Sequence, residues 1–370
     1  MSSNSFFITK SFSLLLFSFF ALLQMGCGQE DTVPLDFVRN MGSGWNLGNS
    51  LESHLDAGRM AGVNEAETYW GNPATTKAMI DEIYKAGFQT LRIPVTWYEH
   101  IDENGTIDPL WLARVKSVVD YAIDNDMYVI INCHHENWYV PAYDNQAAAN
   151  TKLASVWTQI SEYFKSYDNH LLFEGMNEPR LVGTPQEWTA GTEEAWNVIN
   201  DLNQTFVDTV RKSGGKNETR YLLVPTYCAS TEAEALANFR LPEGEHLIVS
   251  VHAYIPYTFA HQEDGSSEWD ASNPADTKPV TDFMDNLSSS FIEKGIPVII
   301  GEFGSIDKNN TESRTAWTRY YVDYAREKGL MYIWWDNGGD SVSTENTFRL
   351  FNRTSLTWDF PQIRDVLTQQ

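Results

Sequence analysis

Two glutamates, Glu178 and Glu302, each follow an apolar segment of the chain, in the sequences Asn-Glu-Pro and Gly-Glu-Phe-Gly. A pair of carboxyl groups can cleave an acetal, because one protonated acid serves the leaving oxygen while one anion faces the anomeric carbon. Arg92 would hold its partner carboxylate ionised, and that negative charge would raise the pKa of the other carboxyl group. Either motif alone has a plainer explanation, since Asn-Glu-Pro is commonly a turn and Glu302 could form an ion pair with Arg92.

Eight apolar segments rich in β-branched and aromatic residues recur along the chain, with lengths typical of strands. They are Gly42–Leu47, Thr90–Val95, Tyr128–Cys133, Leu171–Met176, Tyr221–Pro225, Leu247–Ala253, Pro297–Phe303 and Met331–Trp335. Polar and aromatic residues stand at the ends of these segments, in a set that packing explains poorly. The ends carry Trp45-Asn46, Arg92, His134-His135-Glu136, Asn177-Glu178-Pro179, Pro225-Thr226-Tyr227, His252-Ala253-Tyr254, Glu302-Phe303-Gly304 and Trp334-Trp335-Asp336.

These segments are continuously apolar, as the strands of a parallel sheet are when helices cover both of its faces. Helical patterns lie between them, and Leu112 and Val115 fall on one apolar stripe of Pro109–Asp126. Thr75–Ala86 and Thr311–Lys328 are further helices, each followed by a glycine suited to a C-cap. We predict an α/β fold, a single-domain (β/α)8 TIM barrel, with its functional groups at the C-terminal ends of the strands. An open doubly wound sheet is the alternative, although no G-x-G-x-x-G follows a strand and no P-loop is present.

The charge of the chain narrows the class of partner. Lys and Arg number 26 against 50 Asp and Glu, which gives a net charge of −24. This negative charge would repel nucleic acid, an anionic membrane surface or a polyanionic sugar, whereas it would not repel a neutral polymer. The 13 Trp, 17 Tyr and 19 Phe exceed the needs of a core, and their flat faces can stack on sugar rings. We therefore expect a neutral polysaccharide as partner and no nucleic acid.

The N-terminus has the pattern of an export signal. Lys10 precedes the apolar segment 11–23, which is too short to span a bilayer as a helix. The sequence Leu23-Gln24-Met25-Gly26-Cys27 resembles a bacterial lipobox, except that Gln24 stands where leucine is usual. We predict a signal peptide over residues 1–26 and a catalytic domain over 27–370, in a secreted or cell-surface protein, an outer-membrane lipoprotein if Cys27 is acylated. Plain cleavage nearby is the alternative, and membrane attachment would then be absent.

The other two cysteines, Cys133 and Cys228, lie in apolar strand-like segments, where a small buried thiol is common. They imply neither a disulfide framework nor a cysteine-based metal site. We expect no cofactor and no metal, and a monomeric protein.

Eight short motifs resemble glycoside hydrolase family 5, the cellulase family of retaining barrel glycosidases. They are GWNLGNSLE, ETYWGNP, LRIPVTW, INCHHENW, FEGMNEPR, VSVHAYIPY, IIGEFG and IWWDNGG. The match runs from about Met41 to Asn337 and includes every strand end in order. The first two motifs together with HHENW look most like subfamily 4. That resemblance implies a retaining endo-β-1,4-glucanase acting on cellulose, xyloglucan or mixed-linkage β-glucan.

The resemblance also implies roles for individual residues. Glu178 is similar to the acid/base of the family and Glu302 to its nucleophile. The substrate-binding and supporting residues that it implies are Asn46, Arg92, His134, His135, Asn177, His252, Tyr254 and Trp335. Of these, Arg92 and Tyr254 would orient Glu302, and His252 would support Glu178.

The remaining four would contact the sugar more directly. Asn177 would bind the sugar 2-hydroxyl, and His134 would form the wall of the −1 subsite with Trp335 as its stacking floor. Asn46 and His135 would be contacts on the glycone side.

Three other functions are consistent with the residues. An endo-β-1,4-mannanase would use the same scaffold. A metal-dependent hydrolase could take ligands from His134, His135, Glu136 and His252, although consecutive strand side chains point to opposite sides. A carbohydrate-binding barrel without activity would be expected to lack Glu178 or Glu302, and both are present.

Overall fold

The computed structural model describes residues 1–2, 34–55, 62–339 and 347–369. Residues 3–26 of the predicted signal peptide, its cleavage site and Cys27 lie outside these ranges, as does the predicted domain boundary after residue 26. Within the described ranges, no helix has both the length and the apolar character needed to cross a membrane.

Eight parallel strands form a closed barrel in which each strand pairs with the next and the last pairs with the first. They are β1 (Gly44–Leu47), β2 (Thr90–Ile93), β3 (Tyr128–Asn132), β4 (Leu171–Glu174), β5 (Leu222–Pro225), β6 (Leu247–His252), β7 (Val298–Phe303) and β8 (Met331–Asp336). Each strand lies within one of the apolar segments or extends one residue beyond it. The predicted (β/α)8 barrel is confirmed, and the open doubly wound sheet is wrong because β1 and β8 close the ring.

Helices surround the barrel and connect its strands. The described helices are α1 (Pro34–Asn40), α2 (Val63–Thr68), α3 (Lys77–Lys85), α4 (Pro109–Ile123), α5 (Tyr143–Phe164), α6 (Glu193–Lys212), α7 (Ala233–Asn238), α8 (Tyr257–Ala260), α9 (Pro274–Ser290), α10 (Thr311–Glu327) and α11 (Pro361–Thr368). Short 3₁₀ turns cover Tyr98–His100, Gly215–Glu218, Tyr227–Ala229 and Ile292–Lys294. A small antiparallel hairpin of β9 (Phe351–Asn352) and β10 (Thr357–Trp358) follows β8.

The predicted helices α3, α4 and α10 are present within three residues of their expected ends. Asp108 caps α4 by accepting a hydrogen bond from the Leu110 amide, and the helix buries the predicted apolar stripe against the barrel. Gly87 and Gly329 follow α3 and α10 with φ of 106° and 72°, a left-handed conformation that glycine adopts without a Cβ clash.

The interior of the barrel is apolar at its N-terminal end. Side chains on a strand alternate between its two faces, so every second residue points inward. The inward layer contains Ile130, Leu172, Leu223, Ile248, Ile299 and Ile333. Phe37 of α1 stacks on Tyr221 with 3.6 Å between ring centroids and closes this end. The cleft therefore opens at the C-terminal ends of the strands.

Candidate active site

A layer of buried polar side chains lies directly above the apolar layer inside the barrel. Asn132, Glu174 and Ser250 each stand two residues after an inward apolar residue of the same strand, so they point inward as well. Asn46 and Arg92 occupy the corresponding positions on β1 and β2, two residues after Gly44 and Thr90. The alternation of the strands thus concentrates polar groups at one level of the barrel.

Arg92 is the centre of this layer. It is fully buried and donates hydrogen bonds to Glu302 Oε1 at 2.8 Å, Glu174 Oε2 at 2.8 Å and Asn177 Oδ1 at 2.7 Å. Burial alone would lower the pKa of Arg92, but the two carboxylates outweigh it and hold the pKa above its usual value. Arg92 therefore remains charged and fixes two acidic side chains.

Glu302 owes its inward direction to an irregularity in β7. Ile300 pairs with Val251, and Glu302 pairs with the next residue, His252, so that Gly301 is an extra residue in β7. A bulge of this kind changes the side to which the following side chain points. Without it, Glu302 would share the outward face of Ile300.

Both carboxylate oxygens of Glu302 accept strong hydrogen bonds. Arg92 donates to Oε1, and the Tyr254 hydroxyl donates to Oε2 at 2.9 Å. The arrangement therefore fixes the orientation of the Glu302 carboxylate at the floor of the cleft.

Glu178, which follows β4, is paired with His252 of β6. Nδ1 of His252 lies 2.7 Å from Oε1 of Glu178 and 3.6 Å from Oε2 of Glu302. Burial would raise the pKa of Glu178, but the hydrogen bond and charge of His252 outweigh it and hold the pKa below its usual range. Burial would likewise lower the pKa of His252, but the negative charges of Glu302 and Glu178 outweigh burial and raise this pKa above its usual value. The short contact thus couples the protonation of His252 to that of Glu178.

This result corrects one expectation from the sequence. A raised pKa was expected for the carboxyl group facing the ionised glutamate, and for Glu178 that expectation is wrong. Its physical reason is the imidazole of His252, which lies against both carboxylates and compensates their repulsion.

The cleft above these groups has a volume of about 780 Å³. His134, His135, Asn177 and Trp335 all line it, together with Glu178, His252, Tyr254 and Glu302. The rings of His134 and Trp335 are nearly parallel, at 8°, with 6.0 Å between their centroids. Burial lowers the pKa of His134 and takes that of His135 to about 3, so both imidazoles are neutral at pH 7.

Comparison with known proteins agrees with this geometry. Residues 54–341 match the profile of a protein family described as Cellulase (glycosyl hydrolase family 5). The chain belongs to glycosyl hydrolase family 5. The family resemblance drawn from the eight motifs is therefore confirmed.

Relatives within family 5 are similar over nearly the whole chain. Endoglucanase A of Clostridium longisporum is 46% identical over 334 residues, which cover 90% of this chain and 65% of the relative. A GH5-4 broad specificity endoglucanase from Ruminococcus champanellensis, solved with bound cellotriose, is 43% identical with a TM-score of 0.88, covering 92% of this chain and 99% of that one. A GH5 lichenase from Caldicellulosiruptor sp. F32 is 42% identical with a TM-score of 0.87, covering 91% and 95%.

One predicted sugar contact of this family 5 protein, Asn46, has a different position, whereas Arg92 contacts Glu302 as expected. Asn46 and Arg92 are both fully buried beneath the cleft. The Asn46 amide nitrogen donates to the Gly301 carbonyl at 2.9 Å, and its oxygen accepts from Arg92 at 3.0 Å. Asn46 therefore holds the bulge of β7 and the guanidinium, which does not match the sugar contact expected from the sequence.

Three members of the polar layer were not singled out by the sequence analysis. Glu174 is fully buried, and it accepts hydrogen bonds from Arg92, from Asn132 at 2.9 Å and from Ser250 at 2.6 Å. The sequence signal that could have identified Glu174 is its charge, which is unusual inside the otherwise apolar segment Leu171–Met176. A buried carboxylate at such a position requires a cation, and Arg92 is that partner.

The ligand set of a metal-dependent hydrolase is not assembled as the sequence alternative requires. Glu136 is turned away from the cleft and accepts hydrogen bonds from the Trp97 amide and the Trp138 indole, both at 2.6 Å. A ring nitrogen of His134 lies 3.0 Å from the Asn132 amide. Neither group shares a centre with His252, which faces the two catalytic-site glutamates.

Proposed function

We propose that this protein is an endo-acting β-1,4-glucanase that hydrolyses β-glucans by double displacement with net retention of configuration. The separation of the two glutamates carries the proposal. A carboxylate oxygen of Glu178 lies within 4.8 Å of one of Glu302. Carboxyl groups about 5–5.5 Å apart are typical of retaining glycosidases, whereas inverting enzymes need about 6.5–9.5 Å to admit a water.

The environment of each glutamate supports a distinct role. Glu302 is the nucleophile, because Arg92 and Tyr254 hold its carboxylate in place at the floor of the cleft, where the anomeric carbon would lie. Glu178 is the acid/base, because it lies beside Glu302 and is hydrogen-bonded to His252, a side chain that can exchange a proton with it. After the sugar is bound to Glu302, Glu178 accepts a proton from the attacking water.

The walls of the cleft suit a neutral sugar ring. Trp335 offers a flat apolar face, while His134 and His135 are neutral and place no charge beside the ring. The Asn177 side-chain oxygen is taken by Arg92, so its amide nitrogen is the group left to donate to a sugar hydroxyl. We also propose that the protein acts as a monomer.

The substrate class rests on this site and on the relatives named as endoglucanases and a lichenase. We expect release of reducing ends from carboxymethyl cellulose, xyloglucan or lichenan. Proton NMR of the first product should show the β-anomer. Initial formation of the α-anomer would contradict retention, and faster hydrolysis of mannan than of every glucan would favour the mannanase alternative.

We also propose that the protein is exported and anchored through an acylated Cys27, since a polysaccharide cannot cross a membrane to reach a hydrolase inside the cell. The apolar segment 11–23 and the residues up to Cys27 support this proposal. Cys27→Ser in a bacterial host is expected to move the enzyme from the membrane fraction to the soluble secreted fraction with unchanged turnover. Equal fractionation of variant and wild type would favour plain cleavage.

A further inference from the structure

Residues 257–268, here named the wall segment, lie between β6 and α9 and border the active-site cleft with Tyr257 and His261. The His261 ring stacks on Tyr257 with 5.3 Å between centroids, and it meets the Tyr254 ring edge-on at 5.2 Å. Tyr254 in turn donates a hydrogen bond to Glu302. The position of the wall segment therefore sets the shape of the cleft beside the proposed nucleophile.

Lys308, between β7 and α10, holds the backbone of the wall segment. Its Nζ donates to the carbonyl oxygens of Thr258 at 3.0 Å, Phe259 at 3.1 Å and Ser266 at 3.0 Å. An ammonium group has three N–H donors, so this one side chain spends all of them on the wall segment. Thr258 and Phe259 belong to α8, and the last carbonyls of a helix have no partner within the helix. Lys308 supplies that partner.

Other contacts support the same arrangement. The chain folds back at Gly265, where a Cβ would overlap a carbonyl oxygen of α8, so a side chain would push the two parts of the segment apart. The Asn310 side-chain amide donates to the Ser267 carbonyl at 2.8 Å, and the Ile306 amide donates to the Ala260 carbonyl at 2.9 Å. The chain that follows β7 thus grips the wall segment at several points, with Lys308 making three of the bonds.

We propose that Lys308 is a positioning residue that locks the wall segment in place before substrate binds, through the three hydrogen bonds of its ammonium group. The inference rests on the proposed function and adds a residue that acts through the backbone of another loop. A cleft wall that is already ordered costs little further ordering when a sugar binds. Loss of the ammonium group would leave three carbonyls without their donor and release the segment.

Lys308→Met tests the lock, because methionine keeps a long unbranched side chain and removes all three donors. Amide hydrogen exchange in residues 257–268 of the free enzyme should become about tenfold faster or more. KM for cellotetraose should rise about fivefold, because the segment must then be ordered on binding, and kcat should stay within about twofold. Lys278→Met on α9, whose side chain is 69% exposed, is the matched control and should equal wild type in all three measurements.

Chemical rescue separates the hydrogen bonds from the charge. Lys308→Ala leaves space for a small cation, and propylammonium carries the same three donors as the lost side chain. Added propylammonium should lower the raised KM of Lys308→Ala at least threefold and slow exchange in the wall segment. Tetramethylammonium at the same concentration and ionic strength has the charge but no N–H group, so it should restore neither property.

Three results would overturn the inference. They are unchanged exchange in the wall segment of Lys308→Met, faster exchange with an unchanged KM, and equal rescue of Lys308→Ala by the two cations. If Lys308→Met did not fold, Lys308→Gln, which keeps two N–H donors, should fold and show faster exchange in the wall segment than wild type, and wild-type exchange would contradict the lock. Failure of the proposed function would look different, because wild type itself would then leave cellotetraose intact while the exchange results stood.

Discussion

Glu302→Ala is expected to lower kcat/KM for every β-glucan by about 10⁴-fold or more, because no other group can form the covalent bond to the anomeric carbon. The vacated space would admit a small anion. Added azide should attack from the position of the lost carboxylate and give a glycosyl azide of inverted, α configuration. Product analysis by NMR after incubation with an activated aryl β-cellobioside measures this outcome.

The Glu302 variant should remain folded. Arg92 keeps its ion pair with Glu174 at 2.7 Å, so the buried guanidinium is not left without a carboxylate. Thermal unfolding followed by circular dichroism provides the control. A folded Glu302→Ala enzyme with near wild-type turnover, or a β-glycosyl azide as product, would contradict the role of Glu302.

Glu178→Ala is expected to separate substrates by their leaving groups. Cleavage of cellulose should fall by about 10²–10⁴-fold, because a sugar alkoxide leaves poorly without a proton. Formation of the glycosyl-enzyme from a dinitrophenyl β-cellobioside should be spared, because that phenolate leaves unaided. Pre-steady-state release of the phenol measures this first step separately from hydrolysis.

The second role of Glu178 predicts how the variant is rescued. Without a base, the glycosyl-enzyme should accumulate, and azide should release it as a β-glycosyl azide. Glu232→Ala, which removes an exposed carboxylate that lines the same cleft, is the matched control and should retain activity on all substrates. Equal loss on natural and activated substrates in a folded Glu178→Ala enzyme would contradict the acid/base assignment.

The barrel was predictable because its strands are short and continuously apolar, a pattern that parallel strands buried on both faces require. The C-terminal ends of such strands lie at the same end of the barrel. The sequence therefore predicts that Glu178 and Glu302 line one cleft, although it gives no distance between them. The family motifs added the partners, and the contacts of Arg92 and Tyr254 with Glu302 are those expected.

The parts of the site that were not predicted depend on the register of the barrel strands, which the amino-acid composition does not reveal. Strict alternation along β7 would turn Glu302 outward, and only the extra residue Gly301 turns it into the cleft. Glu174 was not predicted as a site residue, because a single charged residue in an apolar segment does not indicate that its side chain faces Arg92 across the barrel. The family resemblance implied that Asn46 contacts the sugar, whereas its side-chain amide is hydrogen-bonded to Gly301 and Arg92.

The covalent role of Glu302 is the central claim, and trapping the glycosyl-enzyme tests it most directly. A 2-deoxy-2-fluoro-β-cellobiosyl fluoride should inactivate the enzyme, because the 2-fluorine slows hydrolysis of the intermediate while fluoride departs readily. Mass spectrometry of a proteolytic digest should then show one added fluorocellobiosyl group on the peptide that contains Glu302, and none in Glu302→Ala. A label on Glu178, or time-dependent inactivation of Glu302→Ala equal to that of wild type, would contradict the account.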